Sequence, residues 1–149
     1  MVYRILSILM QPNLSILIVN YNSGTYALDC INSVFQQKSI TLQVIVVDNA
    51  SQDNSVNLLN ETFGQKITLI QSDKNLGFAC ANNLAATMAT SEYYLLLNPD
   101  TVIGEPLSFA HLVDFLIQHT EMGMVGPAID EPRKGKRVLP RYRYHLHAI

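Results

Sequence analysis

The chain has 149 residues, about half of them apolar, with a formal net charge of −2, seven glycines and six prolines. Those numbers fit one domain with a buried core and exclude disordered, collagen-like and repeat architectures. No apolar run reaches the roughly 18 residues needed to cross a bilayer, and two cysteines that fit no disulfide framework point to a cytoplasmic location.

Residues 1–13, "MVYRILSILMQPN", hold one Arg and a short apolar patch but no small-residue cleavage site, and read as a leader rather than a signal peptide. The β-branched run "LSILIVN" (14–20) predicts a strand that ends in the polar loop "NYNSG". Over 24–37, apolar Ala27, Ile31, Val34 and Phe35 fall at helical spacing. "LQVIVV" (42–47) predicts a second strand, ending in "DNASQDNS", where Ser51 or Asp53 can cap a helix carrying Val56, Leu58, Leu59 and Phe63. "KITLI" (66–70) predicts a third strand before "QSDKNLG", and a helix follows from about Phe78 to Ala89. "YYLLL" (93–97) predicts a fourth strand running into Asn98-Pro99-Asp100-Thr101. A helix is expected over 106–119, and "MGMVGPAI" (122–129) suggests a fifth strand. Cys30 and Cys80 fit no metal or disulfide spacing and read as reduced core cysteines.

Strands alternating with helices predict parallel, right-handed crossovers, and continuous apolar strands predict a sheet covered on both faces. The expected fold is α/β, a three-layer open and mostly parallel sheet over residues 14–130. Residues 131–149 differ in charge. They carry six basic side chains and one acidic, against four basic and eleven acidic in residues 1–130. This basic tail reads either as a solvated extension or as a surface for diphosphates, an anionic membrane or an acidic partner. No motif supports nucleic-acid binding.

In open α/β sheets, ligands bind beyond the carboxyl ends of the strands. Those ends are "NYN" (20–22), "DNAS" (48–51), "SDKN" (72–75) and "NPD" (98–100), each rich in Asn, Asp or Ser. Polar loops there also serve to turn the chain and cap helices. The sequence lacks Gly-x-Gly-x-x-Gly after the first strand, a Gly-Lys-Ser/Thr phosphate loop and Gly-x-Ser-x-Gly, which argues against a dinucleotide site, a P-loop and an α/β-hydrolase. His111 and His119 read as surface residues, and His145 and His147 lack partner ligands for zinc. Short carboxylates and amides around a cleft remain. Asp48 could accept a bond from a base N–H, and Asp100 could hold a hard divalent cation bridging a diphosphate. That chemistry describes a nucleotide-sugar site.

"SILIVNYNS", "VIVVDNASQDNS", "NLGFACANN" and "LLLNPDT" occur in that order. With them the chain resembles the glycosyltransferase family 2 enzymes of GT-A fold, over roughly residues 14–130, and within them the rhamnosyltransferase-like branch. The resemblance implies that Asn20, Tyr21 and Asn22 line the nucleoside pocket and that Asp48 recognises the base, with Asn49 and Ser51 beside it. It places Asn75, Gly77 and Asn83 under the ribose and diphosphate. It puts Asn98 and Asp100 at the outer positions of the family's Asp-x-Asp metal motif. Asn98 replaces the leading aspartate, as is usual in that branch, so Asp100 is left as the one charged ligand for Mg²⁺ or Mn²⁺. Cys80 and Ala81 stand where relatives often carry glycine.

Inverting transfer as in this family needs a base to deprotonate the acceptor. Glu105, Asp114, Glu121, Asp130 and Glu131 sit in no recognisable base motif. Relatives carry the base in a later half, so it is expected beyond Ile149, and the chain is expected to be the donor-binding part of a longer enzyme, inactive alone. The resemblance implies a dTDP- or UDP-sugar donor, rhamnosyl in that branch, and a saccharide or lipid-linked acceptor of the cell envelope; the charge of the basic tail would allow peripheral contact at the inner membrane face. The other readings are a nucleotide-binding module without turnover and an interaction protein that self-associates through open strand edges.

Overall fold

The computed structural model describes residues 13–127, together with the backbone of 129–131 and 136–138. Nearly all of the leader, most of the basic tail, and His145 and His147 lie outside the described residues.

Four parallel strands form one sheet: β1 (Leu14–Asn20), β2 (Leu42–Asp48), β3 (Thr68–Gln71) and β4 (Tyr93–Leu97), in the spatial order β3-β2-β1-β4. Helices connect them: α1 (Tyr26–Phe35), α2 (Ser55–Phe63), α3 (Phe78–Ala86) and, after β4, α4 (Ser108–Gln118). The register pairs Asn20 with Asp48 and Ile18 with Leu97, so the carboxyl ends of the central strands lie level.

Every residue of β1 is buried, as expected for a central parallel strand with both faces covered. Its even-numbered side chains, Leu14, Ile16 and Ile18, pack with Val44 and Val46 against α1, α2 and α4, through Ile31, Val34, Leu59 and Phe109. Its odd-numbered Leu17 and Val19 pack with Ile45 and Val47 against α3. Helix α3 buries Ala81 and Ala85 against the sheet, with Leu84 and Ala86 partly buried beside them, and the small side chains at i, i+4 let it lie close. Burying each of these Ile, Leu and Val side chains stabilises the fold by about 1.5–3 kcal/mol.

Three expectations are corrected. The run 122–127 forms no strand; Gly123, Gly126 and Pro127 punctuate it, and its apolar character alone could not distinguish strand from loop. The strands that follow, β5 (Ile129–Glu131) and β6 (Lys136–Val138), form a separate antiparallel pair. This hairpin runs across residue 130, where the basic segment begins. Second, among the described residues β4 is covered on one face only. Tyr93, Leu95 and Leu97 face the α1–α4 core, whereas Tyr94 and Leu96 are half exposed on the α3 face. Third, Cys30 is buried as expected but Cys80 is exposed. The helices are also shorter than the periodicity suggested; α3, for example, stops at Ala86, and residues 87 and 88 form turns.

Candidate functional site

The strand order locates the site. From β1 the chain crosses to β2 and β3 on one side, then α3 carries it back over β1 to β4 on the other side. The topological switch point therefore lies between the carboxyl ends of β1 and β4, where such sheets bind ligands. Tyr21 and Asn22 leave β1 on one side of this crevice, and Asn98 and Asp100 leave β4 on the other; all four are exposed.

The loop after β4 is a tight turn. The Thr101 N–H donates to the Asn98 carbonyl at 3.1 Å, closing a turn with Pro99 and Asp100 at its centre. Beneath it sits Cys30 of α1, with Sγ 3.5 Å from the Asn98 carbonyl oxygen. Burial, and then the nearby charge of Asp100, push the Cys30 thiol up to about 12, so it stays protonated under the turn.

The loops after β1 and β2 are tied together by a ladder of four bonds. The Asn49 N–H donates to the Asn20 carbonyl at 2.8 Å and the Asn22 N–H to Ser51 Oγ at 2.9 Å. The Gln52 N–H donates to Asn22 Oδ1 at 2.7 Å and the Gly24 N–H to Asp53 Oδ2 at 2.9 Å. Asn22 and Ala50 both adopt positive φ, 51° and 66°, so the two loops turn sharply at facing positions. Asparagine tolerates that conformation well; alanine is held in it by the ladder.

A buried polar cluster lies below the ladder. Asn20 is fully buried, and Asp48 and Asn49 are each 3% exposed. Asn20 Nδ2 donates to Asp48 Oδ1 at 2.7 Å, to Ser55 Oγ at 2.9 Å and more weakly to Ser51 Oγ at 3.1 Å. Ser51 also donates to Asp48, from its hydroxyl to Oδ1 at 2.6 Å and from its backbone to Oδ2 at 3.0 Å. Asp48 thus uses three of its roughly four acceptor directions inside the protein. Asn20 Oδ1 is buried without a hydrogen-bond partner, at a cost of about 1–3 kcal/mol.

A third loop joins from β3. Asn49 Nδ2 donates to Asn75 Oδ1 at 2.9 Å, and Asn49 Oδ1 accepts from the Leu76 N–H at 2.7 Å. Asn75 Oδ1 also accepts from the Gly77 N–H at 2.8 Å. Gly77 precedes α3 at φ 77°, ψ 164°, and no side chain caps this helix. Asn83 is exposed on α3, whereas its neighbour Asn82 is buried and bonds the Phe78 carbonyl at 3.0 Å.

The candidate residues therefore divide in two. Asn20, Asp48, Asn49 and Ser51 build and brace the loops. Tyr21, Asn22, Asn75, Gly77, Asn83, Asn98 and Asp100 are exposed, and of these Asn22, Asn75 and Gly77 also take part in the bracing bonds. Asp53 and Ser55, not singled out as site residues by the sequence, belong to the brace. Asp53 Oδ1 accepts from both the backbone N–H and the hydroxyl of Ser55. The Ser55 hydroxyl, then the backbone bonds from Ser55 and Gly24, hold the Asp53 carboxyl below the usual carboxylate range. The Asp-x-Ser spacing is a local turn signal that could have flagged this pair.

Among the described residues no group of three or more His, Cys, Asp or Glu could hold a metal ion. One exposed carboxylate, Asp100, with the Asn98 amide nearby fits a divalent ion that brings phosphate ligands of its own. A concavity of about 380 Å³ lined by Thr41, Gln43, Lys66 and Thr90 lies at the opposite, amino end of the strands. The Gln43 amide in it is already bonded to Ser15, Thr90 and the Met88 carbonyl.

Comparison with known proteins gives concordant matches. The model of the family "Glycosyl transferase family 2" matches residues 15–147. The glycosyltransferase GlyG of Streptococcus pneumoniae serotype 4 is 26% identical over 98 residues, 64% of this chain and 33% of that protein. The chondroitin synthase of Pasteurella multocida is 30% identical over 110 residues, 73% of this chain and 11% of that protein. Among solved structures, S. aureus TarS 1-349 in complex with UDP superposes with a TM-score of 0.64 at 25% identity, over 72% of this chain and 33% of that one. The mannosyltransferase PcManGT from Pyrobaculum calidifontis, in complex with GDP-Man and Mn²⁺, does so with a TM-score of 0.64 at 26% identity, over 71% and 32%. The chain thus spans a third or less of the length of these relatives. No helix among the described residues is long and apolar enough to cross a membrane.

Proposed function

The chain belongs to glycosyl transferase family 2, and from that premise we propose that it binds the nucleotide-diphospho-sugar donor of a glycosyl transfer. The observation that carries this reading is the switch-point crevice, with Tyr21 and Asn22 on the β1 side and Asn98 and Asp100 on the β4 side. The nucleoside lies along the β1–β2 loops, where Tyr21 offers an aromatic face and Asp48 keeps one acceptor direction for a base N–H. The ribose and diphosphate pass Asn75, Gly77 and Asn83 toward Asn98 and Asp100. Asp100, with the Asn98 amide, would hold a divalent ion, Mg²⁺ or Mn²⁺, which would supply charge neutralisation for a departing nucleoside diphosphate. The bound nucleotides of TarS and PcManGT support the donor class, and the Mn²⁺ of PcManGT supports the metal.

The finer reading is rhamnosyl transfer, with inversion, to a saccharide or lipid-linked acceptor of the cell envelope. Asn-Pro-Asp at 98–100 favours that branch. The basic segment then serves contact with an anionic membrane surface. The Glu105 backbone sits near the end of α1, where its carbonyl accepts from Gln37 Nε2 at 2.9 Å, away from the strand carboxyl ends where the donor is proposed to lie.

Calorimetric titration with UDP, dTDP and dTDP-rhamnose, with and without Mg²⁺ or Mn²⁺, tests the proposal. Metal-dependent binding that Asp100→Ala abolishes is expected; failure of every nucleotide to bind would end the donor reading. A second reading, self-association, is favoured by half-exposed Tyr94 and Leu96 on an edge strand of the described sheet. Sedimentation of wild type against Leu96→Lys separates the two, since only self-association depends on Leu96.

A further inference from the structure

We propose that Asp53 is a positioning residue for the nucleotide, setting the direction of the Ser55 hydroxyl and through it the orientation of the buried Asn20 amide that holds Asp48. The inference rests on the donor-site reading above and adds a residue lying outside the crevice itself.

An ionised carboxylate only accepts, so the Ser55 hydroxyl must spend its single proton on Asp53 Oδ1. Ser55 Oγ can then only accept from Asn20, 2.9 Å away. The Ser51 hydroxyl is likewise committed, donating to Asp48 Oδ1 at 2.6 Å. Asn20 therefore faces two hydroxyl oxygens with no proton to offer and one carboxylate oxygen. Only its NH₂ end can meet them, and the same end donates to Asp48 at 2.7 Å. Asn20 Oδ1 is consequently turned away and left without a partner although Asn20 is fully buried. That orphaned oxygen goes with an amide whose NH₂ end is held by three acceptors, Asp48, Ser55 and Ser51.

With Asp53 removed, the Ser55 proton is free to turn toward Asn20. Ser55 Oγ then no longer presents a fixed acceptor, and the Asn20 NH₂, which the Asp48 carboxylate keeps turned toward itself, loses one of the acceptors that set its direction. Asp53 Oδ2 also holds the Gly24 N–H, so the same carboxylate steadies the loop that carries Tyr21 and Asn22. The relay and the loop tie are separable, because Ser55→Ala cuts the first and spares the second.

The 149-residue chain is titrated with UDP as wild type, Asp53→Ala and Ser55→Ala. The Asn20 side-chain amide is followed by NMR, its signal identified by its disappearance in Asn20→Asp. Both variants are expected to bind UDP about tenfold or more weakly, the effect of losing a charge-assisted bond, and to shift the Asn20 amide signal. Wild-type affinity together with an unmoved Asn20 signal in Ser55→Ala overturns the relay, and that variant decides alone should Asp53→Ala fail to fold. If wild type binds neither UDP nor dTDP, the donor reading falls. The Asn20 signal in the two variants then still reports on the relay.

Discussion

Gly77→Ala separates backbone strain from steric crowding. Gly77 lies at φ 77°, ψ 164°, a region essentially reserved for glycine. A Cβ built there meets nothing within 4 Å, so no neighbour has to move. The cost is therefore conformational alone, about 1–3 kcal/mol. For a domain of this size that lowers Tm by about 2–12 °C. Gly104 supplies the control: its Cβ also meets nothing within 4 Å, but its φ lies outside the left-handed range. Gly104→Ala should be neutral, or stabilising by about 0.4–1 kcal/mol through the unfolded chain. Urea unfolding followed by circular dichroism measures both. Equal losses in the two variants would refute the argument from φ. Gly77 also donates its N–H to Asn75 Oδ1, within the knot that joins Asn49 to the α3 amino end. Under the donor reading, its replacement should weaken nucleotide binding as well.

The two cysteines should differ sharply toward a thiol reagent at pH 8: Cys80, exposed, reacts at once, and Cys30, its thiol pushed up to about 12 by burial and by Asp100, reacts only on unfolding. Reagent counts in native buffer and in denaturant check this. Leu97→Ala should cost about 2–5 kcal/mol, because Leu97 is 8% exposed, whereas Leu96→Ala, at 55% exposed, should cost about 1 kcal/mol or less; chemical denaturation of the pair tests the one-sided cover of β4. Asp53 has its folded carboxyl lowered, so its stabilisation is complete above the unfolded carboxylate range near about pH 4 and is lost as pH falls through the folded value. Asp53→Asn should therefore flatten the acid limb of stability against pH, read from Tm in a series of buffers.

The sheet was legible because its strands are short apolar runs closed by polar turns. β1 and β4 have the boundaries that "LSILIVN" and "YYLLL" suggest. Neighbour relations were less so. "YYLLL" is apolar throughout, yet only alternate residues meet a helix, and which strand lies at an edge depends on the order of the crossovers. "MGMVGPAI" misled for a related reason, since an apolar run carries no record of a hydrogen-bonding partner. At the site, the clustering of amides and carboxylates at strand ends was visible, but the division between braces and open groups was not. Asn20 and Asn22 are alike in type and two residues apart, and only the fold buries the first and exposes the second. The bond from Gly24 to Asp53 spans 29 residues, beyond the reach of local pattern.

The chemistry of that division follows from charge. A carboxylate only accepts, so bracing loops with carboxylates alone would set like charges against one another at hydrogen-bond distance, where the repulsion is strong even at an effective dielectric of about 20. Amides both donate and accept. Asn49 does both at once, joining the second loop to the third, and Asn20 lets Asp48 and the Ser55–Asp53 pair share one small buried volume. The same economy serves the open side. Of Tyr21, Asn22, Asn98 and Asp100 around the crevice, only Asp100 carries a charge. A diphosphate approaching four carboxylates would be repelled; approaching neutral amides and a single carboxylate, it needs one divalent cation to turn the remaining repulsion into attraction. Under the donor reading, the asparagine at position 98 lowers the negative charge that a diphosphate would meet there.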